Sequence, residues 1–183
     1  MKGIYLGACR AYHENYNIDY NDIQSGYHIN IISDMMEIDL NKYDYIIATP
    51  PCNYYSRARG KKISNYSLAT KHLLPDIIKK CSKLNKPFII ENVRNWKRFQ
   101  EEGIIEYCNK NGILIYEYGR HTYFTNLFLN LNNIKQRQDF LNHGYRINYN
   151  DSFSQYNQGG YNVHQVIEYF LKYIHEVEEW KKK

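Results

Sequence analysis

Short apolar runs separated by polar, turn-forming stretches organise this chain. "GIYLGA" at 3–8 has the length of a buried strand and stops at Gly7. "GYHINIIS" at 26–33 predicts a second strand, and "KYDYIIATPP" a third. Pro50 and Pro51 end that third run, because proline has no N–H to give to a ladder. Over 67–84, Leu68, His72, Leu73, Ile77, Ile78 and Cys81 recur at helical spacing, with Pro75 as a kink or break. "KPFIIENV" returns to strand and ends at Glu91. "RFQEEGIIEYCNKNG" predicts a helix capped near Gly112, then the strand "ILIYEYG" and another in "RHTYFTNLFL". Residues 131–160 are polar and weakly periodic, an irregular stretch. In the closing segment, Val163, Val166, Ile167, Phe170, Leu171, Ile174 and Val177 fall on one face of an amphipathic helix.

Strands alternating with helices imply an α/β fold with a doubly wound, mostly parallel sheet. Such sheets bind their ligands outside the carboxyl ends of the strands, where strand order reverses. Gly7, Ser33, Cys52, Glu91 and Gly119 follow the predicted strands and are expected along one rim.

The length of 183 residues suits a single domain, 1–183. Hydrophobic residues at 43% and charged residues at 23% are those of a globular protein. No apolar run approaches the roughly 20 residues of a membrane-spanning helix, and "MKGIYLGACRAYHENY" lacks the apolar core of a leader peptide. The expectation is a cytoplasmic protein with no membrane partner. The cysteines at 9, 52, 81 and 108 have neither metal-ligand spacing nor a disulfide pattern, so no metal site is predicted. The net charge is +5, and positive charge gathers in "SRARGKK" at 56–62, which holds Arg57, Arg59, Lys61 and Lys62. Beside Cys52 this segment would attract a phosphate backbone; by charge alone, a solvated loop reads the same way.

Two residues stand out chemically. Cys52 follows a proline pair at a strand end, where neither packing nor propensity asks for a thiol. A nearby cation such as Arg57 or Arg59 would favour its thiolate. The alternative is an ordinary buried cysteine, the part assigned to Cys9, Cys81 and Cys108. Glu91 closes an apolar strand, where burial favours the protonated acid and lets it donate to a ring nitrogen. The alternative there is a helix cap or a carboxylate turned to water.

"PPC" at 50–52 together with "ENV" at 91–93 resembles the catalytic loop and glutamate motif of DNA (cytosine-5) methyltransferases, which have a Rossmann-like fold. "SDMMEIDL" at 33–40 is similar to the short acidic motif before the catalytic strand, and "YGRHTYF" at 118–124 to the later strand that carries a positioning arginine. "QGGYNVHQVIEYFLKYI" at 158–174 is similar to the closing motif. The resemblance implies that Cys52 attacks carbon 6 of a cytosine, Glu91 holds and protonates ring nitrogen 3, and Arg120 orients the base or the glutamate. S-adenosylmethionine would be the methyl donor, beside Gly7, Ala8, Asp34, Pro50, Asn162 and Val163. DNA would be the partner, single-stranded or with its target base flipped out. Tyr54 and Tyr55 would then stack on bases, and Ser56, Arg57, Arg59, Lys61 and Lys62 would meet phosphates.

Where the family has a glycine-rich loop after the first strand, this chain has "YLGACRAY". About 35 residues separate Arg120 from the closing motif, too few for a separate recognition domain. The chain is similar to minimal forms from phages and mobile elements, and its specificity would come from a partner protein or be relaxed. Three other readings stand beside methylation at carbon 5. The chain could be a silent methyltransferase fold that binds nucleic acid or a partner enzyme, or an enzyme modifying pyrimidines of RNA or free nucleotides. Amino-group methylation of adenine or cytosine is disfavoured, because Cys52 stands where such enzymes carry an aromatic residue.

Overall fold

The computed structural model describes residues 1–56, 63–134 and 156–181, and the chain divides into two compact units, Met1–Phe128 and Leu129–Lys183. In the first unit seven strands form one sheet: β1 Gly3–Leu6, β2 Ile18–Asp22, β3 Ile31–Ile32, β4 Tyr45–Ala48, β5 Phe88–Val93, β6 Leu114–Tyr118 and β7 His121–Thr125. Their order is β3-β2-β1-β4-β5-β7-β6. The first five are parallel, and β7 runs antiparallel to both its neighbours. The α/β expectation is met. Strand order reverses between β1 and β4, which opens a crevice at their carboxyl ends.

The central strands are apolar on both faces, as a sheet buried on both sides requires. On one face Ile4, Leu6, Ile46, Ala48, Phe88, Ile90 and Phe124 share a core with residues of α2 (Leu73–Ser82) and α4 (Ile104–Lys110), among them Leu74, Ile77, Ile78, Ile104 and Cys108. The other face is unusual in its tyrosines: Tyr5, Tyr45 and Tyr123 are all buried beside Ile47 and Ile89. There Gly3 is dictated by space, because a Cβ would sit 2.1 Å from the Tyr45 ring.

Four local expectations change. "GYHINIIS" contributes only the two residues of β3, and the second strand is Ile18–Asp22. Its polar sequence hides it: Asn21 is fully buried because its Nδ2 donates to the carbonyls of Ile31 and Ser33, tying β3 to the sheet. The helix over 67–84 breaks at Lys71 and His72, between α1 (Asn65–Thr70) and α2, and not at Pro75. Pro75 lies in the first turn of α2, where a missing N–H costs nothing. The helix expected before Gly112 is two, α3 (Trp96–Glu101) and α4, separated at Gly103 with φ +67°. Finally, β5 runs two residues past Glu91, and Gly119 (φ +61°) turns a hairpin that inserts β7 between β5 and β6. Two reversals leave β6 parallel to β5, so Gly119 still reaches the predicted rim.

In the second unit, α5 spans Tyr156–Lys181, starting ahead of the predicted Asn162. Val166, Ile167, Phe170, Leu171 and Ile174 are buried, as the periodicity predicts. Of the irregular stretch, residues 135–155 lie outside the described residues. No described helix is long and apolar enough to cross a membrane.

Phe124 is fully buried, with its ring edge-on to Phe99. Phe124→Ala is expected to cost about 3–5 kcal/mol, read as a lower urea midpoint at nearly unchanged slope. An unchanged midpoint would remove this ring from the core.

Candidate active site

The loop after β4 is stiffened by two prolines and then pinned by hydrogen bonds. Pro50 is buried, so its carbonyl needs a donor inside the protein. Asn92 on β5, itself fully buried, supplies one: its Nδ2 donates to Pro50 O at 3.1 Å. Beyond the prolines, Cys52 O accepts from the amides of Tyr55 and Ser56, folding 52–56 into a turn. A second buried amide closes the arrangement, with Asn95 Nδ2 donating to Tyr55 O at 2.6 Å while Asn95 Oδ1 caps α3. The segment Glu91–Asn95 therefore holds the loop at both ends. Cys52 is left half-exposed at the carboxyl end of β4. Burial pushes the thiols of Cys81 and Cys108 up to about 12.

Glu91 comes from the neighbouring strand, one residue beyond Ile90, which pairs with Ala48 of β4. It is 8% exposed, and Tyr123 faces it across the β5–β7 ladder. The Tyr123 phenol is held well above its ordinary range, first by burial and then by the charge of Glu91. Glu91 Oε1 lies 2.5 Å from Nδ1 of His121, the first residue of β7. Arg120, the residue expected to orient the glutamate, is instead exposed in the hairpin turn, where its carbonyl accepts from Arg94 N. The group that touches Glu91 is its neighbour His121, passed over because "RH" read as arginine plus strand.

On the other side of the crevice, Gly7 has φ +64°, and a Cβ there would meet Thr49 O at 2.8 Å. Close approach of the loop to β4 explains this glycine, and Thr49 Oγ1 donates to Gly7 O across the same gap. The amides of Ala8 and Cys9 donate to Asn21 O and Asp22 Oδ2. No helix separates β1 from β2; residues 7–17 form turns. Asp34, expected at the end of the second strand, follows β3 and is exposed, accepting from Met36 N. The carboxylate at the end of β2 is Asp22, missed because its strand was missed. In the same part of the chain, Tyr12 stacks on His28 with centroids 3.9 Å apart. Val163 is half-buried on α5; Asn162 is within the same helix, and its side chain lies outside the described residues.

The expected nucleic-acid residues separate into two groups. Arg57, Arg59, Lys61 and Lys62 lie outside the described residues. Tyr55 is fully buried and donates to Lys71 O, so its ring has no face to offer a base. This corrects its assignment as a stacking residue. Tyr54 is half-buried, donates to Glu102 Oε1 at 2.7 Å and carries the Arg98 guanidinium 4.3 Å from its ring centroid. The hydrogen bond to Glu102 raises its phenol pKa, and burial adds to this. Both tyrosines act on the loop, and Ser56 is half-buried at its end.

A sheet ordered β3-β2-β1-β4-β5-β7-β6 with only β7 reversed, carrying a thiol loop and an acid on adjacent strand ends, is a Rossmann-like methyltransferase fold. The family model for C-5 cytosine-specific DNA methylase matches residues 3–119, well over half of the chain and all within the first unit. The chain belongs to that family. None of the curated proteins compared with the chain matches it.

Iodoacetamide at pH 8 should alkylate Cys52 in the folded protein and spare Cys81 and Cys108, whose buried thiols stay protonated. Peptide mapping reads the outcome; an unmodified Cys52 would contradict its placement at an open loop.

Proposed function

We propose that this chain methylates carbon 5 of cytosine in DNA through a covalent adduct at Cys52, with S-adenosylmethionine as donor. One observation carries the reading: β4 and β5 are neighbours, and the loop bearing Cys52 is hydrogen-bonded to the strand bearing Glu91 through Asn92 and Pro50. In this reading the Cys52 thiolate bonds to carbon 6 while Glu91 gives a proton to nitrogen 3, and the electron pair moves to carbon 5. Carbon 5 takes the methyl group, with release of the donor as its thioether; carbon 5 then loses its proton to solvent, the thiolate departs, and nitrogen 3 returns its proton to Glu91. Arg120, exposed at the rim, would contact the base or its phosphate. A base within a duplex is out of reach, so the target is single-stranded or flipped out.

The donor's chemistry fits part of the site. Asp22 is a partly accessible carboxylate at the end of β2 and would accept from ribose hydroxyls, and the Tyr12–His28 stack would give a purine a flat wall. Gly7, Ala8 and Pro50 would line the crevice, with Asp34 on the cofactor side. Bound there, S-adenosylmethionine supplies an electrophilic methyl group. Residues 57–62 would contact phosphates, and 1–183 would act as one cytoplasmic catalytic domain in which 131–160 replaces a recognition domain and a partner protein or relaxed recognition sets specificity. Pyrimidines of RNA or free nucleotides are alternative acceptors.

A silent, nucleic-acid-binding relative is the second reading. The loop after β1 favours it, since two of its amides are already used internally and no helix follows. Calorimetric titration separates the two: an enzyme should bind S-adenosylmethionine at micromolar Kd, about -8 kcal/mol, and a silent fold should give no heat. On DNA incubated with the chain and donor, mass spectrometry should detect 5-methylcytosine, lost in Cys52→Ser and reduced about 100-fold or more in Glu91→Gln. An active Cys52→Ser would refute the covalent route.

A further inference from the structure

Glu91 can work only if one of its two oxygens faces the substrate with the proton on it. A carboxyl group can rotate, and either oxygen can carry the proton. His121 is in contact with one of the two oxygens. Its Nδ1 stands 2.5 Å from Oε1, with side-chain exposures of 18% for His121 and 11% for Glu91. The register sets this contact: β7 pairs with β5 so that His121 lies opposite Val93 and Tyr123 opposite Glu91, which puts the imidazole one step along the same face from the carboxyl group. The hairpin at Gly119 brings His121 to the rim, and a shift of one residue would turn it to the other face.

We infer that His121 is the positioning residue for Glu91, donating Nδ1–H to Oε1 so that Oε2 is the oxygen left to hold and protonate the base. An ionised carboxylate only accepts, so a neutral imidazole meeting it must donate from the ring nitrogen in contact. With Oε1 occupied by that donor, a proton arriving on Glu91 goes to Oε2. The strand that separates β5 from β6 thus supplies the orienting group as an imidazole, and the exposed Arg120 is not needed for it.

This inference rests on the methyltransferase reading, and the test keeps the two apart. His121→Phe removes the donor at similar bulk; His121→Asn keeps an N–H near the place of Nδ1. With circular dichroism confirming that both variants fold, single-turnover methylation of a cytosine-containing oligonucleotide should fall about 100-fold in His121→Phe, with little change in KM for DNA. His121→Asn should recover most of the loss. Nitrogen-edited NMR of the wild type should show a hydrogen-bonded Nδ1 proton on His121 that disappears in Glu91→Ala, whether or not the chain methylates. A wild type that methylates beside an equally active His121→Phe overturns the inference, as does failure of His121→Asn to rescue or absence of the Nδ1 proton. A wild type that never methylates overturns the functional reading instead.

Discussion

A buried amide, that of Asn92, joins the strand of the acid to the loop of the thiol. Asn92 lies between Glu91 and Val93 on β5 and points away from Glu91, because neighbours on a strand face opposite sides. From there it donates to the carbonyl of Pro50, while its Oδ1 accepts from Val93 N. Losing this side chain would strand the buried Pro50 carbonyl, a cost of about 1–3 kcal/mol. The loop that carries the thiol and the strand that carries the acid are therefore one hydrogen-bonded unit. Asn95 repeats the device three residues later on Tyr55 O.

The sheet determines why this unit faces a crevice. Reversal of strand order between β1 and β4 leaves their carboxyl ends without a crossover above them, and the loops after β1, β2, β4 and β5 open there. The β6–β7 hairpin adds what a purely parallel sheet could not: an antiparallel strand that begins at the rim, so that its first residue, His121, meets Glu91. The tyrosine-rich face supports the same corner, with Tyr123 buried opposite the glutamate.

Much of this was legible in the sequence, and the exceptions have physical reasons. Apolar runs located β1, β4 and β5, because central strands buried on both faces must be apolar throughout. They failed at β2, whose buried Asn21 donates from Nδ2 to the carbonyls of Ile31 and Ser33, which only the fold brings near; losing β2 moved the expected acid from Asp22 to Asp34. Cys52 and Glu91 were visible as residues out of keeping with their strand ends. Tyr55 was misjudged because adjacent tyrosines look alike in sequence, whereas alternate packing buries Tyr55 completely and leaves Tyr54 against Arg98. His121 was invisible because its role depends on a register that no local pattern encodes.

The central claim is that Cys52 forms a bond to the target base with the help of Glu91. An oligonucleotide containing 5-fluorocytosine tests it most directly, since fluorine at carbon 5 cannot leave as a proton and holds the adduct after methyl transfer. The account predicts a protein–DNA complex that survives denaturation, forms only with S-adenosylmethionine present, and maps by peptide mass spectrometry to Cys52. No adduct, or an adduct at the exposed Cys9, would contradict it.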